Sequence, residues 1–465
     1  MAVLLTIMMA VLDGTIMNVA LPIIAQDQGV SPAHAIWVVT AYQLAIVVSL
    51  LPLAALGEAI GFRKVYLSGI AIFGIASFLC AMAPNIEFLT AARVLQGLGG
   101  AALMSINGAV MRHIFPQAKL GRAIGWIAMT VSVSAAGGPT IASAILAVAS
   151  WHWLFLINVP ISILAIIVGY FTLPFNAPSR TRFDFISAFL NVLTFGGLNA
   201  PSRTRFDFIS AFLNVLTFGG LISALGNVGT ESDPALIGAQ FGVAVIAGAF
   251  LVRRQLSKDR PMLPLDLLKL PVFACSIGSS ICGFCAQMIA FVTLPFYFHD
   301  VLGYSATVTG LLMTPWPLAT AVAAPVAGRL ADKYSPIRLT GLGMMVFAIG
   351  LYAITFVPEG GSYAGIIGAL ALCGIGFGLF QAPNNRLMLT SAPRDRSGGA
   401  SGMLSTARLT GQSVGAALAA ILIGTGGGFE LDTIMMVASG AALASALICE
   451  GRRHALRTGL IAANV

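Results

Sequence analysis

Residues 2–24 read AVLLTIMMAVLDGTIMNVALPII. The run is apolar except for one charge, Asp13, near its centre. As a helix rising 1.5 Å per residue it reaches about 34 Å, enough to cross a hydrocarbon core of about 30 Å. It has no basic leading region and no small-residue cleavage site, so it reads as a retained first span and not as a signal peptide. Segments of this kind recur about fourteen times between residues 2 and 449. Hydrophobic residues make up 58% of the chain and charged residues 9%, with a mean hydropathy of +0.92. A soluble domain carries about a quarter charged residues. Lipid is therefore the expected solvent, and the spans are expected to be helices, because backbone groups in lipid must bond within their own segment.

The charges give the orientation. With the first loop (25–34) placed outside and the spans alternating, every Lys and Arg except Arg93 and Arg408 falls in an inside loop or tail. The outside loops hold only acids, Asp27, Glu87, Glu231, Asp233, Asp300, Glu359, Glu430 and Asp432. This is the positive-inside pattern, and it puts both termini in the cytoplasm. The same scatter disposes of a nucleic-acid partner despite the net charge of +8, because no basic block or basic helix face exists.

Three charges remain inside spans, Asp13, Arg93 and Arg408. Charge at mid-membrane costs about 2.5–3.5 kcal/mol on insertion scales, so these residues are the first candidates for function. A mid-membrane carboxyl such as Asp13 can exist in both protonation states, which a proton carrier requires. The plain alternative is a structural Asp bonded to Thr15 or a neighbouring helix. Arg93 is the fixed charge that would hold such a carboxylate ionised, or else a structural Arg on backbone carbonyls. Arg408, beside Gly411 and Gly415, reads more as structural. Gly138 and Pro139 mark a hinge or a close helix contact. Glu58 and Asp332 sit in tight loops, where an acid can cap a helix or pair with a loop Arg that locks one conformation. Tyr42, Gln43, Gln96, Trp126, Gln287, Trp316, Gln381 and Asn384 are polar or aromatic residues in or near spans. As a group they are candidates for a cavity wall, where aromatic faces can hold a lipophilic cation.

Other motifs carry less. Cys282-x-x-Cys285 has a redox or zinc spacing, but it lies inside an apolar run with no second pair and no nearby His. The five His residues are scattered near span ends without metal-ligand spacing. GLGG (97–100) and GIGFG (374–378) resemble phosphate-binding loops, but both lie in spans with no preceding strand, so helix packing is the better reading. No cofactor, no metal and no enzymatic centre is expected.

Two repeats are present. The loops GEAIGFRK (57–64) and GRLADKYSPIR (328–338) suggest two related halves. A second repeat is perfect. NAPSRTRFDFISAFLNVLTFGGL occupies 176–198 and again 199–221 without a single change, so it is either a recent in-frame duplication or an artefact of the sequence. Copy one offers an apolar run from Phe183 to Leu198, about 24 Å as a helix, before Asn199, Pro201 and Arg203; copy two runs on through Leu225. Only copy two is expected to cross, with copy one lying at the cytoplasmic surface.

The chain also resembles a known family. LDGTIMNVALP (12–22) and WVVTAYQLA (37–45) are similar to the first two spans of the fourteen-span drug:proton antiporters of the major facilitator superfamily. GEAIGFRK resembles the superfamily's loop motif, with Glu58 where an Asp is usual. ARVLQGLGGA (92–101), GGPTIAS (137–143), WHWLFLINVPIS (151–162) and TARLTGQSVGAALA (406–419) resemble its fourth-span, antiporter, sixth-span and late motifs, in the right order. The resemblance implies an all-α fold of two six-helix bundles, at 1–174 and 253–449, joined by a linker region at 175–252 with two extra helices. A cytoplasmic tail follows at 450–465. It implies proton-coupled multidrug efflux across the bacterial cytoplasmic membrane, with lipophilic or cationic drugs as substrates. The expected partners are lipid, proton and substrate. The chain is expected to work as a monomer, with a periplasmic adaptor left open as a partner. A metabolite symporter or facilitator on the same fold is the first rival, and a polytopic membrane enzyme a remote one.

Overall fold

The computed structural model describes residues 2–114, 117–173, 208–228, 233–256, 265–356, 363–392, 397–425 and 430–457. They form helices joined by short turns. The first half contains α1 (Ala2–Asp27), α2 (Pro32–Ile60), α3 (Phe62–Ala81), α4 (Ile86–Ile114), α5 (Gln117–Leu146), α6 (His152–Leu156) and α7 (Asn158–Thr172). A pair, α8 (Phe208–Val228) and α9 (Pro234–Leu256), follows. The second half contains α10 (Pro271–Phe296), α11 (Ala306–Met313), α12 (Pro315–Lys333), α13 (Pro336–Ile354), α14 (Tyr363–Ser391), α15 (Ser397–Thr425) and α16 (Leu431–Arg457). Among the described residues twelve helical stretches are long and apolar enough to cross a membrane. α5 and α8 carry shorter apolar stretches, Val133–Leu146 and Phe212–Ala224.

Local chemistry sets the helix ends. Ser31 and Ser305 accept hydrogen bonds from the backbone N–H groups of His34 and Val308, and Pro32 opens α2. A single residue, Gly61, separates α2 from α3. Its φ of 100° lies where side chains are strained, and its N–H still bonds back to the Gly57 carbonyl. α11 and α12 are one span broken at Thr314, just before Pro315 and Pro317, which lack the N–H a continuous helix needs. The last helix runs on to Arg457, so the cytoplasmic tail placed at 450–465 begins as a continuation of α16.

The two halves repeat one packing device. A Cβ on Gly99 of α4 would lie 2.7 Å from the Phe73 nitrogen of α3, and one on Gly69 would lie 2.7 Å from the Ala102 Cβ. In the second half, Gly376 of α14 abuts the Phe347 nitrogen of α13, and a Cβ on Gly343 would lie 2.6 Å from the Phe380 nitrogen. Gly97 lets α4 approach the Tyr42 and Ala45 backbone region of α2, and Gly374 lets α14 approach Trp316 and Ala319 of α12. The glycine runs GLGG and GIGFG are thus matched helix crossings, where small residues let backbones touch. Position for position, Arg93 and Gln96 lie opposite Leu370 and Cys373, both fully buried. The second half keeps the crossing and lacks the charge.

The pair α8–α9 packs on itself and docks α8 against α2 and α15. Asn214 of α8 donates 3.0 Å to the Val48 carbonyl of α2. Only 17% of the apolar window of α9 is buried, against 78% for α10, so α9 is peripheral and presents Phe250 and Ile246 outward. α8 is built from the second duplicate copy, from Phe208 onward. The first copy, with the surface placement expected for it, lies outside the described residues. Deleting residues 176–198 is expected to leave expression, thermal stability and transport within about twofold of the full chain, because α8 and its Val48 contact are retained. Loss of folded protein on gel filtration would mean that copy one is structural.

Candidate functional site

Asp13 lies mid-helix in α1 and is 2% exposed. Its Oδ2 meets the Arg93 Nη1 of α4 at 2.6 Å. Its Oδ1 accepts from Gln96 Nε2 at 2.9 Å and from Asn158 Nδ2 of α7 at 2.8 Å. Three donors from two other helices therefore surround the carboxylate, which as an ion offers about four acceptor sites. Arg93 and Gln96 stand three residues apart, on one face of α4, and Arg93 Nη1 also donates to Gln96 Oε1 at 2.5 Å. Arg93 Nε donates to the Val38 carbonyl of α2 at 3.1 Å. Gln96 Nε2 reaches Ser77 Oγ at 2.9 Å, and Ser77 donates on to the Phe73 carbonyl at 2.8 Å. The guanidinium lies 4.1 Å from the Tyr42 ring centre and 5.7 Å from that of Phe155, within cation–π range. Arg93 Nη2 is buried without a hydrogen-bond partner.

Asp13 is thus not isolated, and Thr15 is not its partner. Thr15 Oγ1 donates to the Val11 and Leu12 carbonyls of its own helix. The neighbouring helices supply the bonds instead. A buried ion pair holds its charge only when its remaining donors and acceptors are met, and here Gln96 and Asn158 meet them. Asn158 and Ser77 carried no role in the sequence reading. The available signal was an amide, Asn158, in an otherwise apolar stretch.

A cavity of about 210 Å³ lies between the halves, lined by α1, α2, α4, α5, α10, α12, α14 and α15. Of the residues expected in its wall, Tyr42, Gln43, Gln287, Trp316 and Gln381 line it. Gln96 instead belongs to the Asp13 network behind it. Asn384 turns into the second bundle, where its Nδ2 donates to the Ser276 carbonyl at 3.2 Å and to Ser280 Oγ at 2.8 Å. The Trp126 side chain lies outside the described residues. Asn18, not singled out from sequence, also lines the cavity, with its Oδ1 unpartnered. Tyr42 belongs to both structures: its ring covers Arg93 and its residue forms cavity wall.

The residues expected to gate are spread over three places. Gly138 of α5 abuts Thr15 of α1. The Pro139 carbonyl would lie 2.6 Å from a Cβ on Gly310 of α11, so this contact between halves requires a glycine. Thr140 meets Thr314 at 3.0 Å, and Gln26 Nε2 meets His299 at 3.3 Å and Asp300 at 3.5 Å. The halves therefore close on each other at the end that carries the turns after α1 and before α11. Asp332 pairs with Arg386 at 2.5 Å, with both side chains largely exposed; the pair ties α12 to α14 within one half, and exposed pairs contribute ~0–1 kcal/mol. The Glu58 side chain lies outside the described residues. Arg408 lines the cavity, while Gly411 and Gly415 beside it pack on the Ile281 and Cys285 carbonyls of α10. Packing thus falls to the glycines and leaves the arginine facing inward.

Comparison with known proteins accords with this architecture. A family model described as Major Facilitator Superfamily matches residues 3–416 and 275–457. The chain is 48% identical over 450 residues to "Uncharacterized transporter YebQ" of Escherichia coli (strain K12), covering 96% of this chain and 93% of that protein. It is 28% identical to "Riboflavin transporter RibZ" of Clostridioides difficile (strain 630), over 88% of this chain and 84% of that one. It is 30% identical to "Multidrug resistance protein Stp" of Mycobacterium tuberculosis (strain CDC 1551 / Oshkosh), over 89% and 73%. A crystal structure of a POT family transporter in complex with a thioalcohol-conjugated peptide superposes with a TM-score of 0.68 at 16% identity, covering 97% of this chain and 95% of that one, and so shares the fold. The chain belongs to the major facilitator superfamily and is a multi-pass membrane transporter, not an enzyme.

Proposed function

We propose that this transporter exports small lipophilic molecules across a bacterial inner membrane in exchange for protons. The observation that carries the reading is the buried Asp13–Arg93 pair, whose arginine lies against the Tyr42 ring and reaches the cavity wall beside it. A proton on Asp13 removes the charge that holds Arg93 Nη1. The guanidinium is then held by Gln96, Val38 and the Tyr42 and Phe155 rings. Tyr42 and Arg93 both form cavity wall, so proton occupancy and substrate occupancy act on the same two side chains. Two ligands that bias one element in opposite directions exchange for one another. The two bundles then rock about the cavity, with the contacts at Gly310 and Thr140 as the closed outer gate. Under the charge reading, that gate faces the acidic loops, and both termini are cytoplasmic. The chain works as a monomer, and a periplasmic adaptor is a candidate partner.

The name of the Stp relative supports drug export, and that of RibZ supports the second reading, movement of a metabolite on the same fold. Inverted membrane vesicles test the proposal. With an imposed gradient, acid inside, they are expected to accumulate substrate several-fold over background and to lose it when a protonophore is added. Accumulation that ignores the gradient would rule out proton exchange, and accumulation only with the gradient reversed would favour symport.

A further inference from the structure

Arg408 makes no bond in the Asp13 network, yet it stands at the cavity wall as a permanent charge. Its Nε is buried and unpartnered. Among the described residues no carboxylate pairs with it. The carboxylate nearest the cavity, Asp13, is committed to Arg93, and no other Asp or Glu in the chain stands mid-span. The balance at the cavity is therefore one carboxylate against two guanidiniums. Three further polar atoms on its wall, Asn18 Oδ1, Gln43 Oε1 and Trp316 Nε1, are buried without partners. The rest of the wall is largely apolar or aromatic, with Phe284, Phe291 and Phe377 beside Trp316.

We infer that the cavity binds amphiphiles with a flat apolar body and an anionic head, a carboxylate or its like, and that Arg408 is the residue that takes the head. The inference rests on the export reading for the purpose of the cavity. An unpaired guanidinium in a low-dielectric site attracts an anion strongly, and its planar fork matches a carboxylate. The aromatic wall accepts the apolar body, and the orphaned amides bind its remaining polar groups. A cationic amphiphile, the class that the family resemblance implies, would find aromatic faces here. It would also meet the field of Arg408 with no free carboxylate to answer it. Like charge facing like charge is how a site rejects a competitor.

The test uses the purified full chain in detergent and three probes of one shape: 2-naphthoate, 2-naphthamide and 2-naphthylmethylammonium. In calorimetric titration the wild type is expected to bind naphthoate at least tenfold more tightly than the ammonium, with the amide between them. Arg408→Gln is expected to weaken naphthoate at least tenfold and to erase the ranking, and Arg408→Lys to keep most of it. The inference is overturned if the ammonium binds as tightly as naphthoate in the wild type, a comparison that needs no variant. It is equally overturned if Arg408→Gln leaves naphthoate affinity unchanged or if no probe binds. A separate arm asks whether inverted vesicles move naphthoate on a pH gradient. Binding with the predicted ranking but no gradient-driven movement would sink the proton-exchange reading and leave the assignment of Arg408 standing.

Discussion

Asp13→Asn is expected to abolish uphill transport, at least a hundredfold in initial gradient-driven rate, with protein remaining in the membrane at near-normal levels. Asn is nearly the same size as Asp but cannot exchange a proton. Its side-chain oxygen can still accept from Gln96 and Asn158, the two amides that now bond Oδ1, so the three-helix junction survives in outline. The variant loses the charge opposite Arg93 Nη1, now 2.6 Å away. The protein is then held in the arrangement that protonation would produce, and it should still bind substrate and exchange it down a concentration gradient. The measurement is paired: vesicle accumulation against a pH gradient, and equilibrium exchange without one. Exchange kept and accumulation lost assigns Asp13 to coupling. Wild-type accumulation in the variant would remove Asp13 from the mechanism.

Arg93→Ala is expected to have the largest effect on stability of any single change at the site. Arg93 is fully buried, and removing it leaves the Asp13 carboxylate without its counter-charge. Breaking a buried pair from one side costs about 3–5 kcal/mol. Protonation of the orphaned carboxyl limits that cost. The variant also empties the space under Tyr42 and frees the Val38 carbonyl. Thermal unfolding in detergent should therefore drop clearly below wild type. Arg93→Lys should recover part of the stability, because it restores charge, but not the simultaneous reach to Asp13, Gln96 and Val38 that the forked guanidinium gives. The double change Asp13→Asn with Arg93→Gln should unfold at a higher temperature than Arg93→Ala alone, while remaining uncoupled. An Arg93→Ala protein as stable as wild type would mean that the pair contributes little to the fold.

Much of this was legible in the chain. Apolar length gave the membrane class and the all-helical fold, because lipid permits only internally bonded helices and so leaves few alternatives; against about fourteen expected spans, twelve stretches among the described residues reach crossing length. Asp13 and Arg93 stood out for the same reason: a charge in lipid is rare enough to be conspicuous in a single sequence. The helix from Phe208 is built from the duplicate copy with the longer apolar run.

What sequence could not supply was which side chains meet. Asp13 and Arg93 are eighty residues apart and Asp13 and Asn158 one hundred and forty-five, and nothing local encodes those distances. They depend on glycines at helix crossings, such as Gly97 against α2, that set how closely α4 approaches its neighbour. Helix rotation decided the rest. Around a helix each residue is turned by about 100° from the last, so Gln96 turned into the charge network and Asn384 into its own bundle, although both read alike as cavity-wall candidates, while Arg408, read as structural, turned toward the cavity. Composition determined that these groups would be buried, because the solvent outside is lipid. Only the packing of one helix on another decided what each would face.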